Sequence, residues 1–194
     1  EVEKIQDIEV VEEINTVVVR TSEKTTFEIS KKKIIKTSGC ANGTIFDDII
    51  EEIKEVKITS SISLSSAEVF KLYKEINITP SLYLKSGAIH GCVLCSKNKT
   101  LAFFEDVGRH NAIDKLAGYM FLNNIKPQDK ILYTTGRLTS EMVIKTIMMK
   151  IPVLASRSGY TAWGVDLAKE SGLTMLGRLR GRTFTVLSGN HRIK

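Results

Sequence analysis

A chain of 194 residues, 42% hydrophobic and 26% charged, has room for one large domain or two small ones of ordinary globular composition. It has no apolar run of the roughly 18 residues needed to span a bilayer and no charged-then-apolar leader, so neither membrane insertion nor secretion is expected. A net charge of +6 and a pI near 9.2 suit a nucleic acid, a nucleotide or an acidic protein partner and choose none of them. Three cysteines without regular spacing argue for a reducing compartment, the cytoplasm, and against a disulfide framework. The start at Glu1 rather than Met reads as a truncated or processed end.

Residues 1–60 mix short strands with charged turns and are expected to form a small α+β region. Thr16 to Arg20 and Thr26 to Ile29 are predicted to pair as a hairpin, with Ser22-Glu23-Lys24 near its turn. Lys31-Lys32-Lys33 reads as solvated surface. The strand-like Ile34-Ile35 leads into Thr37-Ser38-Gly39-Cys40-Ala41-Asn42-Gly43-Thr44, a loop dense in Ser, Gly and Asn, and then a charged segment from Asp47 to Glu55. A thiol in a Gly-flanked loop is accessible, as a nucleophile must be, whereas a structural cysteine more often sits in an apolar run. Cys40 is therefore the candidate nucleophile.

From about Ser61 the pattern changes. Ser65-Ser66-Ala67-Glu68 is a capping signature ahead of Val69, Phe70, Leu72 and Tyr73, with Thr79-Pro80 just past the helix they predict. Ala88 to Ser96 and Leu101 to Phe104 read as strands around a Lys97-Asn98-Lys99 turn. Ile113, Leu116, Ala117, Met120 and Phe121 have helical spacing, so a helix runs to about Asn124 with Asp106 as its N-cap. Then follow a strand (Lys130 to Thr134), a helix (Thr139 to Lys150), a strand (Pro152 to Ala155), a helix (Thr161 to Ser171, stopped by Gly172), and strands at Leu173 to Leu176 and Phe184 to Leu187. The order α-β-β-α-β-α-β-α-β, closed by that last strand, predicts a largely parallel three-layer α/β sandwich over residues 61–194.

In open α/β sheets ligands sit at the carboxyl ends of the strands. Three such ends carry small residues plus arginine: Gly108-Arg109-His110, Thr135-Gly136-Arg137 and Ser156-Arg157-Ser158-Gly159. A fourth basic cluster, Arg178-Leu179-Arg180-Gly181-Arg182, links the last two strands. Glycine lets backbone approach a ligand, helix entrances supply N–H donors, and guanidinium forks match phosphate oxygens. The four together predict a phosphate-bearing ligand. The plainer alternative is a set of surface loops whose arginines pair with Glu105, Asp106, Glu141 and Asp166.

His90-Gly91-Cys92-Val93-Leu94-Cys95 has the composition of a metal site, but strand alternation puts His90 and Cys92 on one face and Cys95 on the other. Zinc is therefore not expected; the cysteines read as sheet core and His90 as lining the pocket. Trp163, at a helix start, reads either as a stacking platform or as core.

The stretch Glu105-Asp106-Val107-Gly108-Arg109-His110-Asn111-Ala112-Ile113-Asp114-Lys115 resembles the signature of the formate dehydrogenase accessory sulfurtransferase family, FdhD/NarQ. Supporting matches are Ser86-Gly87-Ala88-Ile89-His90, Gly136-Arg137-Leu138-Thr139-Ser140-Glu141, Pro152-Val153-Leu154-Ala155, Ala168 to Thr174, and Leu179-Arg180-Gly181-Arg182 through Ser188-Gly189. Coverage is strong from Ser81 to Ile193, includes the Cys40 loop, and is weak over residues 1–35, where the family's N-terminal portion is not recognisable.

The resemblance implies a cytidine deaminase-like fold without the deaminase zinc ligands. It implies that Cys40 takes sulfur as a persulfide from a cysteine desulfurase and passes it to the bis-molybdopterin guanine dinucleotide cofactor of formate dehydrogenase. Many members carry a second cysteine three residues on; here that position is Gly43, which removes a two-cysteine relay. The segment Arg178, Leu179, Arg180, Gly181, Arg182 and Thr183 matches the part the family uses on its molybdenum cofactor, and Gly108, Arg109, His110, Gly136, Arg137, Ser158 and His90 complete the expected binding set. A homodimer is implied as well, with no nucleic-acid or membrane partner. Two other functions stay open: a cofactor-holding chaperone without chemistry, and a zinc-dependent nucleotide deaminase.

Overall fold

The computed structural model describes residues 4–23, 34–36, 44–46, 51, 53–79, 81–97 and 99–194. Cys40 and its loop, and the predicted strand Thr26 to Ile29, lie outside these residues. The chain divides into two compact units, Glu1–Asp47 and Asp48–Lys194.

In the first unit β1 (Ile5–Val11) and β2 (Thr16–Thr21) form an antiparallel hairpin, with Val10 opposite Val17 and Ile8 opposite Val19. Thr16 to Arg20 thus has a partner upstream, in Ile5–Val11. The reason is local: Glu12–Ile14 makes a single 3-10 turn and Asn15 adopts φ 50°, a left-handed conformation that Asn tolerates, so the chain reverses there. Arg20 bridges Asp7 and Glu9 across the pair, at 3.0 and 2.7 Å. β3 (Ile34–Lys36) pairs antiparallel with β4 (Thr44–Phe46), and Cys40 falls between them in sequence.

In the second unit a helical turn at 53–55 is followed by α1 (Ser66–Ile78), which starts as its sequence predicts. Ser65 Oγ accepts from the Glu68 N–H at 3.2 Å, and the Glu68 carboxylate accepts from the Ser65 N–H at 2.7 Å. A short helix that periodicity did not reveal follows, α2 (Leu82–Ser86). Then come β5 (His90–Ser96), β6 (Lys99–Asp106), α3 (Arg109–Leu122), β7 (Ile131–Thr134), α4 (Ser140–Met148), β8 (Val153–Ser156), α5 (Ala162–Ser171), β9 (Thr174–Arg180) and β10 (Thr183–Ser188).

The strands form one sheet in the order β10-β9-β8-β7-β5-β6. Only β7–β8 and β8–β9 pair parallel; β5–β6, β5–β7 and β9–β10 are antiparallel. The predicted largely parallel sheet is thus a mixed one. Helical crossovers separate only the central strands, while tight hairpins at both ends can join only antiparallel neighbours.

Alternation along the strands divides the core between two faces. Val93, Cys95, Ile131, Tyr133, Val153, Ala155 and Leu176 pack with Val69, Leu72 and Ile76 of α1. Cys92, Leu94, Leu132, Leu154 and Met175 are equally buried and point the other way, the side of Ile113 and Leu116 of α3, Met142 and Ile147 of α4, and Leu167 and Ala168 of α5. The expected helix–sheet–helix layering is present, with α1 packed on one face and α3, α4 and α5 on the side of the other. No helix among the described residues is long and apolar enough to cross a membrane.

Candidate functional site: a cationic edge at the strand ends

The topology gathers the predicted loops. β6, β7, β8 and β9 run in one direction, and β5 runs against them, so the carboxyl ends of four strands share an edge with the start of β5. That edge holds His90, Gly108-Arg109-His110, Gly136-Arg137, Arg157-Ser158 and Arg178 to Thr183.

Hydrogen bonds stitch these loops together. Thr135 N donates to Gly91 O at 3.0 Å, and Gly91 N to Thr135 Oγ1 at 2.9 Å. Ser156 Oγ donates to Gly136 O (2.6 Å), Ser158 Oγ to Thr135 O (3.0 Å), and Arg178 N to Ser158 O (3.2 Å). The Ser158 hydroxyl proton is therefore committed to holding two loops together. Arg180 Nε reaches Arg157 O at 3.3 Å.

At the centre is Arg109, the first residue of α3 and only 8% exposed. Its side chain lies across Gly136, and its buried Nε has no hydrogen-bond partner. Gly108 is the N-cap and makes no side-chain cap, and the first turn holds no acidic residue. Asp106, expected as the cap, stands two residues earlier. Its Oδ1 accepts from Gly108 N (2.9 Å) and Asn111 Nδ2 (3.1 Å), and its other oxygen pairs with Lys115 at 2.7 Å. Those contacts, the Lys115 bond first, pull its pKa down to about 2.

Two histidines flank the arginine. The Nδ1 of His90 is buried without a partner, and burial, then Arg109 and Arg137, press its pKa below the usual imidazole value. The Nε2 of His110 stands 3.0 Å from Oε2 of Glu141; burial and Arg109 lower its pKa against the opposing pull of that carboxylate.

The second half of the edge is shaped by strain. Arg178 has φ 53° where β9 and β10 slip register between the Thr183–Arg180 and Thr185–Gly177 pairs, so a bulge re-aims the strand. Its guanidinium lies 5.6 Å from the Tyr160 ring centre, and that of Arg157 lies 5.4 Å from the Tyr83 ring centre. Sequence reading missed both tyrosines, because each meets its arginine across separate elements. Gly181 (φ 57°) turns the hairpin, exposing Arg180, Arg182 and Thr183. Leu179 alone faces inward, 2% exposed among the residues under α1, so its side chain belongs to the core. Trp163 is 40% exposed, so the reading of it as core fails.

The alternative of arginines paired to nearby acids does not hold among the described residues. Glu105 caps α2 by accepting from Leu82 N and Tyr83 N (2.9 and 2.7 Å), Asp106 serves Lys115, and Glu141 faces His110. No ion pair to a carboxylate forms at Arg109, Arg137, Arg157, Arg178, Arg180 or Arg182 within that set. Unpaired guanidinium groups at an uncapped helix entrance favour an anion.

Cys92 and Cys95 sit on opposite faces of β5, both buried, and burial pushes each thiol up to about 12. Cys92 Sγ lies 3.5 Å from Thr134 Oγ1, while Cys95 joins the core beneath α1. Among the described residues no cluster of three His, Cys, Asp or Glu side chains could hold a metal ion.

Comparison with known proteins gives the family and the fold. The crystal structure of a protein described as a formate dehydrogenase accessory protein, from Desulfotalea psychrophila, superposes with a TM-score of 0.76 at 29% identity, covering 100% of this chain and 73% of that one. The sulfur carrier protein FdhD of Bacillus pumilus is 31% identical over 176 residues, which is 90% of this chain and 66% of that protein. The FdhD of Nocardia farcinica is 32% identical over 170 residues (86% and 61%), and that of Geobacillus kaustophilus 33% over 136 residues (70% and 52%). The chain thus spans 52 to 66% of the length of these three relatives. The FdhD/NarQ family model matches residues 1–194, and the chain belongs to that family.

Proposed function

We propose that this protein carries sulfur for formate dehydrogenase: it accepts a persulfide from a cysteine desulfurase on Cys40 and delivers it to the bis-molybdopterin guanine dinucleotide cofactor. The observation that supports this most is the cationic edge. It offers arginines that have no carboxylate partner among the described residues, from four loops, yet the two described cysteines, Cys92 and Cys95, are buried and neutral. Such an edge binds a polyanion and leaves the covalent chemistry to another residue, the part we assign to Cys40.

In the loading step the Cys40 thiolate attacks the terminal sulfur of the desulfurase persulfide. The donor S–S bond breaks, the desulfurase cysteine departs as a thiolate, and Cys40 keeps the new S–S bond. Delivery then needs the cofactor held still, and a large multiply charged dinucleotide is better held by spread guanidinium groups and N–H donors than by one phosphate loop. We read the helix-flanked mixed sheet as the cytidine deaminase-like arrangement implied by the family resemblance, and assign the protein to the cytoplasm as a homodimer.

The test is persulfide transfer from a cysteine desulfurase followed by activation of formate dehydrogenase. Cys40→Ser should carry no labelled sulfur and activate no enzyme. Labelled sulfur on that variant would remove Cys40 from the mechanism; enzyme activation without sulfur transfer would leave a cofactor-holding chaperone.

A further inference from the structure

We propose that the entrance of α3, with Arg109, Arg137 and His90, is a site for one phosphate-type dianion, and that His90 takes up a proton from solvent as the anion enters. The proposal rests on the proposed function only in taking that dianion to be a phosphate of the guanine dinucleotide.

Three independent features meet there. Arg109 is 8% exposed, and its buried Nε lacks any hydrogen-bond partner. A guanidinium in that state is poorly placed for folding, since burial without partners and the positive end of a helix both disfavour it. An anion is what relieves both penalties. The helix it opens is 14 residues long and begins on a glycine with no side-chain cap, so its first-turn N–H groups are not engaged by a described side chain. α1 and α5, by contrast, are capped by Ser65 and Thr161. Finally, Nδ1 of His90, within electrostatic reach of Arg109 and Arg137, is a second buried polar atom without a partner.

The charges around His90 fix the proton's direction. From α3 it meets Arg109, and from the loop after β7 it meets Arg137; both repel a proton. Asp106 stands opposite it on β6, but its carboxylate is engaged by Lys115, Gly108 N and Asn111. On its own strand the next titratable group, Cys92, is a neutral buried thiol. His110 faces Glu141 instead. Empty, the site holds His90 neutral. A dianion between the two guanidinium groups reverses the local field, so the imidazole gains a proton and becomes a further donor.

Sulfate is the first probe, because it is a tetrahedral dianion that does not itself titrate near neutrality; pyrophosphate and guanosine diphosphate follow. Calorimetry in two buffers of different ionisation heat counts the protons. Wild-type protein should take up a proton with sulfate, and its Kd should rise by as much as about tenfold per pH unit above neutrality. His90→Gln should bind with no uptake and a flat pH profile. Arg109→Met should bind at least about tenfold more weakly while its unliganded melting temperature holds or rises, which a structural arginine would not allow. Tighter binding of guanosine diphosphate than of pyrophosphate supports a nucleotide source for the phosphate; equal binding supports a free diphosphate.

Wild-type binding without proton uptake, undiminished binding by Arg109→Met, or no binding at roughly 10 mM of either inorganic anion would overturn the proposal. Persulfide loading of Cys40 in the same preparations separates the two readings. Loading without anion binding sinks the pocket and leaves the sulfur carrier; anion-linked proton uptake without loading does the reverse.

Discussion

Arg109 lies across the bare face of Gly136: a Cβ placed on that glycine would stand 3.1 Å from both Cβ and Cδ of the arginine. The glycine is therefore a seat for the arginine, since no positive φ is needed there. Gly136→Ala should push the Arg109 stem by a few tenths of an ångström and destabilise by about 1–3 kcal/mol through overpacking. It should weaken anion binding as well. Gly159→Ala on the neighbouring loop meets nothing within 4 Å and serves as the neutral control. Urea melts of both variants, with sulfate titrations, check this; equal behaviour of the two would deny Gly136 its role.

The cysteines give a chemical prediction. Burial holds the Cys92 and Cys95 thiols at about 12, so neither forms a useful thiolate fraction at pH 8. Alkylation of native protein with iodoacetamide, read by peptide mass spectrometry, should spare both, and all three cysteines of the chain should react once it is denatured. Native modification of Cys92 or Cys95 would mean that β5 opens far more readily than its packing implies.

How much of this was legible beforehand depends on the range of the interaction. The α1 capping box and the Gly172 stop are contacts within a few residues, and they stand where the sequence puts them. The convergence of Arg109, Arg137 and Arg178 was readable because each follows a recognisable strand. Strand direction was not: a hairpin partner such as Ile5–Val11 for Thr16–Thr21 depends on which turn closes, and Asn15 decides that. The bulge at Arg178 and the Arg157–Tyr83 contact come from tertiary packing, so the sequence carries no periodic signal for either. The role of Glu105 in capping α2 was hidden for the same reason, its partners Leu82 and Tyr83 lying in a five-residue helix too short to have a period.

Acid should weaken the fold in two separate windows. The folded pKa values of His90 and His110 are depressed, first by burial, so the unfolded chain binds these protons more readily. Their contribution is fully present above the unfolded value of about 6.5 and is lost as pH falls below it. Asp106 is depressed from 3.8 to about 2, so its contribution persists through that first window and fades only between those two values. Urea midpoints should fall first between about pH 7 and 5 and again below about 4. His90→Gln should shrink the first step to the share of His110 and leave the second, and saturating sulfate should also blunt the first. A wild-type midpoint constant from pH 7 to 5 would contradict the half-buried neutral histidines.

The sharpest energetic contrast is between two buried arginines that avoid carboxylates. Arg192, 3% exposed, donates to Ile58 O, Gly172 O, Ser60 O and Thr174 Oγ1, tying the chain end to the segment before α1 and to β9. Arg109, 8% exposed, makes no such bonds. Replacing Arg192 by Met strips donors from three backbone carbonyls and should destabilise by about 3 kcal/mol or more, because each buried acceptor left alone has its own desolvation penalty. Replacing Arg109 by Met removes a buried guanidinium whose Nε has no hydrogen-bond partner and which pairs with no carboxylate among the described residues, so stability should stay within about 0.5 kcal/mol or increase. Saturating sulfate should then stabilise wild type and Arg192→Met by a similar increment and leave Arg109→Met unmoved, since only the latter has lost the site. If both single variants are destabilised alike, Arg109 is a structural residue and the α3 entrance is not a binding site.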